Sequence, residues 1–69
     1  MAKIAWKNTF SNETGYVKEV SAKDKHFVDT KDEKDAKVYA SRSSARRAVT
    51  QLESYGEGAD KNNVFEIIE

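Results

Sequence analysis

Acid–base or nucleophilic chemistry in this chain would have to be built on a single histidine, His26, because the sequence contains no cysteine. A structural or catalytic zinc site needs three or four converging His, Cys or carboxylate ligands, and His26 has no second ligand in a matching spacing. A serine and a carboxylate could be combined with it on paper. In a chain with 35% charged residues such combinations arise by composition alone and carry no signal. The acidic run Asp29, Asp32, Glu33 and Asp35 has the look of an oxygen-ligand loop. It lacks the glycine that a calcium loop needs at its sixth position, and Lys31 and Lys34 interrupt it. It reads as a solvated, self-neutralised turn. Gly15, Gly56 and Gly58 stand singly in turn-like contexts, with no phosphate-cradling pattern. The expectation is a protein without catalytic, metal or cofactor residues, and so not an enzyme.

Binding chemistry is better represented. The only three arginines, Arg42, Arg46 and Arg47, fall within six residues. They lie in the first half of a predicted helix, where cations oppose the helix dipole by a few tenths of a kcal/mol each (~0.3 or more). None has a carboxylate three or four residues away to offset this. On the helical wheel Arg42 and Arg46 flank the apolar stripe, while Arg47 points away. Local helix energetics does not select this arrangement. It suggests either tertiary pairing with the acids of Asp32–Asp35 or a surface for an acidic protein or for phosphates.

These residues belong to a small chain. At 69 residues and 7.8 kDa, residues 1–69 form one domain. A chain of this size buries only about 60% of the surface its unfolded form exposes, and neither a disulfide nor a thiolate-bound metal reinforces it. Hydrophobic residues make up 38%, aromatics 10%, and 12 bases balance 12 acids, a composition of folded rather than disordered protein. No apolar run exceeds three residues, so no membrane span is expected. Met1-Ala2-Lys3-Ile4 leads into no apolar signal region, and a cytoplasmic location is expected.

The hydropathy pattern supplies the elements. Ile4, Trp6 and Phe10 share one side of a strand predicted over Lys3–Phe10, with Asn8 breaking the series. Ser11–Gly15 is a cluster of turn formers. Strands are predicted over Tyr16–Val20 and His26–Thr30, making an antiparallel meander with short polar loops. Thr30 or Asp32 is placed to cap a single helical turn. Lys37–Ala40 reads as a short strand or extended link. The clearest element is a helix from Arg42 to Tyr55, capped by Ser41 and ended by Gly56. Ala45, Ala48, Val49, Leu52 and Tyr55 form its apolar stripe, about 120° wide. After a polar loop over Glu57–Asn63, Val64–Ile68 is the last strand. The predicted class is α+β: a small antiparallel sheet in β-β-β-(β)-α-β order with one helix packed on one face.

One helix with a small-residue stripe leaves the other sheet face without cover. Tyr16, Tyr39 or Phe65 are candidates for that face if Ile4, Trp6 and Phe10 occupy the covered one. Clustered exposed aromatics mark interaction sites. The last strand is a candidate edge for pairing with a copy or a partner, although Glu66 and Glu69 would also serve to blunt it. The interaction candidates are therefore Arg42, Arg46, Arg47, Tyr16 and Tyr39.

The segments Gly15-Tyr16-Val17, His26-Phe27-Val28-Asp29-Thr30 and Asp35-Ala36-Lys37-Val38-Tyr39, followed by the Ala45/Ala48/Leu52 helix, resemble small uncharacterised proteins encoded by bacteriophages and prophages. The likeness covers residues 15–55 and brings no catalytic or binding residues with it. It implies a short accessory protein that acts by binding a host factor. The leading expectation is accordingly a non-enzymatic protein-binding module, of the phage-modulator type. The alternative is a weak nucleic-acid binder using Arg42, Arg46 and Arg47. Zero net charge speaks against the strongly basic field that phosphate binding draws on. A homodimer joined through the sheet is a third reading.

Overall fold

The computed structural model describes residues 1–21, 23–55 and 62–69. Strands β1 (Lys3–Asn8), β2 (Thr14–Ser21) and β3 (His26–Thr30) lead through a 3₁₀ turn at Glu33–Asp35 to helix α1 (Arg42–Ser54) and strand β4 (Asn63–Ile68). The four strands form one antiparallel sheet in the order β3-β2-β1-β4, so the α+β class and its single helix are as the sequence predicts. The N-terminal strand is internal and receives the C-terminal strand along its full length, from Lys3 opposite Ile68 to Asn8 opposite Asn63.

The first hairpin turns earlier than the hydropathy pattern implies. Asn8 closes β1 because its side-chain carbonyl accepts from the amides of Phe10 and Ser11, both at 2.9 Å. A side chain that satisfies two following amides is a turn in itself. Asn12 completes the reversal at φ 63°, a left-handed conformation that asparagine tolerates better than most residues. Phe10 is consequently outside the strand and 86% exposed, not a core residue beside Ile4 and Trp6. Gly15, expected in the turn, lies within β2 opposite Trp6. Its lack of a side chain is required there: a Cβ would stand 2.8 Å from the indole Nε1, 2.9 Å from Cε2 and 3.0 Å from the carbonyl oxygen of Thr30.

Two hydrogen bonds establish which backbone groups face which neighbour. The Asn8 amide donates to the carbonyl of Glu13, and the Thr9 amide to that of Asn62. Because bonded and non-bonded pairs alternate along an antiparallel ladder, even-numbered residues of β1 turn their amides and carbonyls toward β2 and odd-numbered ones toward β4. The start of β1 has no β2 residue beside it. There the segment after the 3₁₀ turn inserts: Ala2 and Tyr39 exchange two bonds of 2.9 and 2.7 Å, and the Lys37 amide donates to Val17. Residues 37–40 are thus an extended link with one bridge, not a strand.

The covered face carries Ala2, Ile4, Trp6, Val17 and Phe27 from the first three strands and the chain start. Helix α1 supplies Ala45, Ala48, Val49 and Leu52, all buried. The two alanines let the helix axis come close to β1 and β4. Ser41 caps it as expected, its hydroxyl accepting from the Ser44 amide at 3.2 Å. The expected role of Gly56 and the loop from Glu57 to Lys61 lie outside the described residues. Asp32, one of the two expected caps, begins the 3₁₀ turn by accepting from the Lys34 amide at 2.9 Å.

Trp6, Phe27 and Phe65 join three strands through edge-to-face contacts, with ring centres 6.2 Å apart for Trp6–Phe27 and 5.5 Å for Phe27–Phe65. Such pairs contribute about 0.5–1.5 kcal/mol each beyond their buried area. Gly15→Ala drives a methyl into this cluster from the β2 side. Overpacking of this kind costs about 1–3 kcal/mol. Urea denaturation followed by the emission of Trp6, the only tryptophan, is expected to show that loss together with a shifted native spectrum; an unchanged midpoint and spectrum contradict the close contact.

Candidate functional site

Alternation along the strands places Lys3, Ala5 and Lys7 of β1, Thr14 and Tyr16 of β2, Val28 of β3 and Val64, Glu66 and Ile68 of β4 on the face away from α1. This face is not wholly bare. The 3₁₀ turn packs beside β2, and the Lys3 ammonium reaches it, 3.1 Å from the Glu33 carbonyl and 3.8 Å from its carboxylate. Part of the remainder is a shallow hollow with Ala5, Lys7, Thr14, Tyr16, Val64 and Glu66 among its lining residues. Val64 is 57% and Val28 44% exposed. Of the three aromatics considered for this face, only Tyr16 is on it. Phe65 lies opposite Trp6 and packs on the core, and so does Tyr39. Register decides Phe65: sharing a face with Trp6 is imposed once the two are cross-strand partners.

The arginines do not form one site. Arg42 and Arg46, four residues apart on α1, line a groove with Ser43 and Ile67 of β4. Arg47 projects to the other side of the helix, into a hollow shared with Val20, Lys37, Tyr39 and Gln51. The acids of Asp32–Asp35 are not their partners, contrary to expectation. Arg42 pairs instead with Glu69, Nη1 to Oε2 at 3.3 Å, because the helix start lies beside the end of β4 while the 3₁₀ turn lies beside Lys3. Both side chains of the Arg42–Glu69 pair are more than half exposed, so it contributes at most about 1 kcal/mol. Among the described residues, Arg46 and Arg47 have no carboxylate within ion-pair distance. The sequence signal for this side of the molecule, net +2 over residues 41–55 (three Arg, one Glu), survives as a local surplus of positive charge.

Tyr39 binds by its backbone to Ala2 while its ring is half-buried, with the Lys37 ammonium 5.4 Å from the ring centre. Burial disfavours the phenolate and raises its pKa above the ordinary 10.0. His26, at the start of β3, sits on the surface with its ring 5.9 Å from that of Phe27. Among the described residues no three His, Cys, Asp or Glu side chains converge to hold a metal ion. No helix among them is long and apolar enough to cross a membrane.

The raised pKa of Tyr39 has a defined sign in stability. The folded state holds the phenolic proton more tightly than the unfolded chain does. Stability from this group is therefore fully present below pH 10.0 and is lost as pH rises through the folded pKa. Alkaline denaturation profiles are expected to fall less steeply for Tyr39→Phe than for the native chain. Identical profiles contradict the burial of this ring.

No protein-family model, curated protein or solved structure matches this chain.

Proposed function

We propose that this chain is a small cytoplasmic binding module that acts by protein–protein contact, without catalysis of its own, in the manner of a phage-type modulator of a host protein. The observation that carries the reading is the partly apolar outer face of the sheet. It presents Ala5, Tyr16 and Val64 at a shallow hollow, with Val28 and Ile68 elsewhere on the same face, while the helix covers the other side. A tyrosine in such a setting joins apolar area to a hydrogen-bonding tip, the combination that dominates interface energetics. Lys7 and Glu66 border the hollow with opposite charges, which provides a polar rim.

A nucleic-acid surface made from Arg42, Arg46 and Arg47 has less support. Arg42 is engaged by Glu69, Arg47 opens on a different side of the helix from Arg46, and the chain carries no net charge. Phosphate binding gains from several cations acting along one track.

Affinity capture from a bacterial lysate, with and without nuclease, tests the choice. One stoichiometric protein that persists after nuclease treatment, and whose capture falls at least tenfold for the Tyr16→Ala, Val64→Asp double variant, is the expected result. Such a loss corresponds to about 1.4 kcal/mol or more, the scale of a single interface anchor. A bound set that disappears with nuclease transfers the function to nucleic acid.

A further inference from the structure

The edge of the sheet at β4 combines two things that are usually kept apart: an open row of backbone groups and a nearby surplus of arginine. The Thr9–Asn62 bond makes Asn62, Val64, Glu66 and Ile68 the residues of this strand that bond to β1. The amides and carbonyls of Asn63, Phe65 and Ile67 therefore point away from the sheet, and β4 has no neighbouring strand on that side among the described residues. Among the described residues, no side chain and no loop backbone bonds to them. Natural edges are commonly blunted by lysine, proline or a bulge. This strand has no lysine or proline, its register with β1 runs without a bulge over six consecutive pairs, and its one charged residue, Glu66, stands on the outer face and not in the plane of the open edge.

Side-chain geometry then specifies what fits. Phe65 and Ile67 stand on the helix side, and Ile67 shares its groove with Arg42 and Arg46. A strand added antiparallel to β4 places the residues directly opposite Phe65 and Ile67 on that same side, in reach of the two guanidiniums. Its alternate residues fall on the outer side, opposite Val64, Glu66 and Ile68. Only Glu69 offsets the two arginines, leaving Arg46 without a counter-charge among the described residues. Resting on the protein-binding reading above, we propose that the free edge of β4 takes up an extended segment of a partner protein as a fifth strand. The segment alternates acidic residues, which meet Arg42 and Arg46, with apolar residues, which pack on Val64 and Ile68. A bound carboxylate opposite Ile67 competes with Glu69 for Arg42 and takes Arg46 outright. Bidentate pairing of guanidinium with carboxylate favours arginine over lysine for this task.

The test uses the whole chain, isotopically labelled, and a capped seven-residue peptide alternating glutamate and valine. NMR titration is expected to show saturable shifts and slowed amide exchange at Asn63, Phe65 and Ile67. Methylating the glutamate amide nitrogens should abolish binding, because those amides face β4, whereas methylating the valine nitrogens should leave it. Arg42→Ala with Arg46→Ala should weaken binding at least tenfold, and Arg46→Glu should shift preference toward the matching lysine–valine peptide. Equal affinity for glutamate and lysine peptides, indifference to glutamate methylation, or no binding at millimolar peptide overturns the proposal. So does self-association of the free chain through β4, seen as a doubled mass, because the edge is then occupied by a second copy. Lysate capture separates the two levels of inference. A protein that survives nuclease and is retained equally by the Arg42/Arg46 double variant overturns the edge proposal alone; loss of all capture with nuclease removes the protein-binding reading beneath it.

Discussion

The seating of Trp6 over Gly15 is the contact on which the rest of the arrangement depends. A side chain at position 15 would meet the indole below 3 Å, so glycine leaves the space that the largest side chain of the chain occupies. From there Trp6 touches Phe27 of β3 and stands opposite Phe65 of β4, linking both edge strands to the central one on a single face. Among the described residues the indole N–H has no hydrogen-bond partner. The Lys31 ammonium, 4.9 Å from the ring centre and 2.6 Å from the Thr14 carbonyl, closes the cluster from the solvent side.

The layout of the surface follows from that seating. In an antiparallel strand the face a side chain takes and the direction its backbone groups point alternate together. Placing Phe65 against Trp6 puts Phe65 and Ile67 under the helix side and at the same time turns their amides and carbonyls outward. The same parity sends Tyr16, Val64 and Ile68 to the outer face. The two candidate surfaces, the outer hollow and the β4 edge, are therefore adjoining consequences of one register. They meet at β4, which contributes Val64 to the hollow and Ile67 to the arginine groove. A partner that lays a strand along this edge would have the hollow within reach of its next residues.

The helix contributes its own asymmetry. Small residues at 45 and 48 let it settle closely, which brings its N-terminal half beside the end of β4 and opens its other flank over Tyr39. Arg42 and Arg46 are consequently held beside the strand edge by the same packing that buries Val49 and Leu52. Their unfavourable position near the helix start is offset only in part, by one exposed ion pair.

Much of the architecture was written in local pattern. The helix and its serine cap and the strand at His26–Thr30 follow from periodicity and residue type, because apolar spacing and capping chemistry act within a few residues. The divergence of Arg47 from Arg42 and Arg46 was also readable, being a matter of 100° per residue on one helix. Register was not. Whether Phe65 or Tyr39 joined Tyr16 on the outer face depended on which residues became cross-strand partners, and residues 65 and 6 are brought together only in the assembled sheet. Asn8 broke the alternation visibly, yet its role as the acceptor that ends β1, and with it the exposure of Phe10, required the folded turn. The partner of Arg42 was likewise a tertiary matter: charge alone favoured the nearer acids of Asp32–Asp35, and the packing of helix on sheet brought Glu69 instead. Sequence determined the elements and their charges, because those are set by neighbours along the chain; the tertiary structure decided which of them face one another, because that is set by neighbours across it.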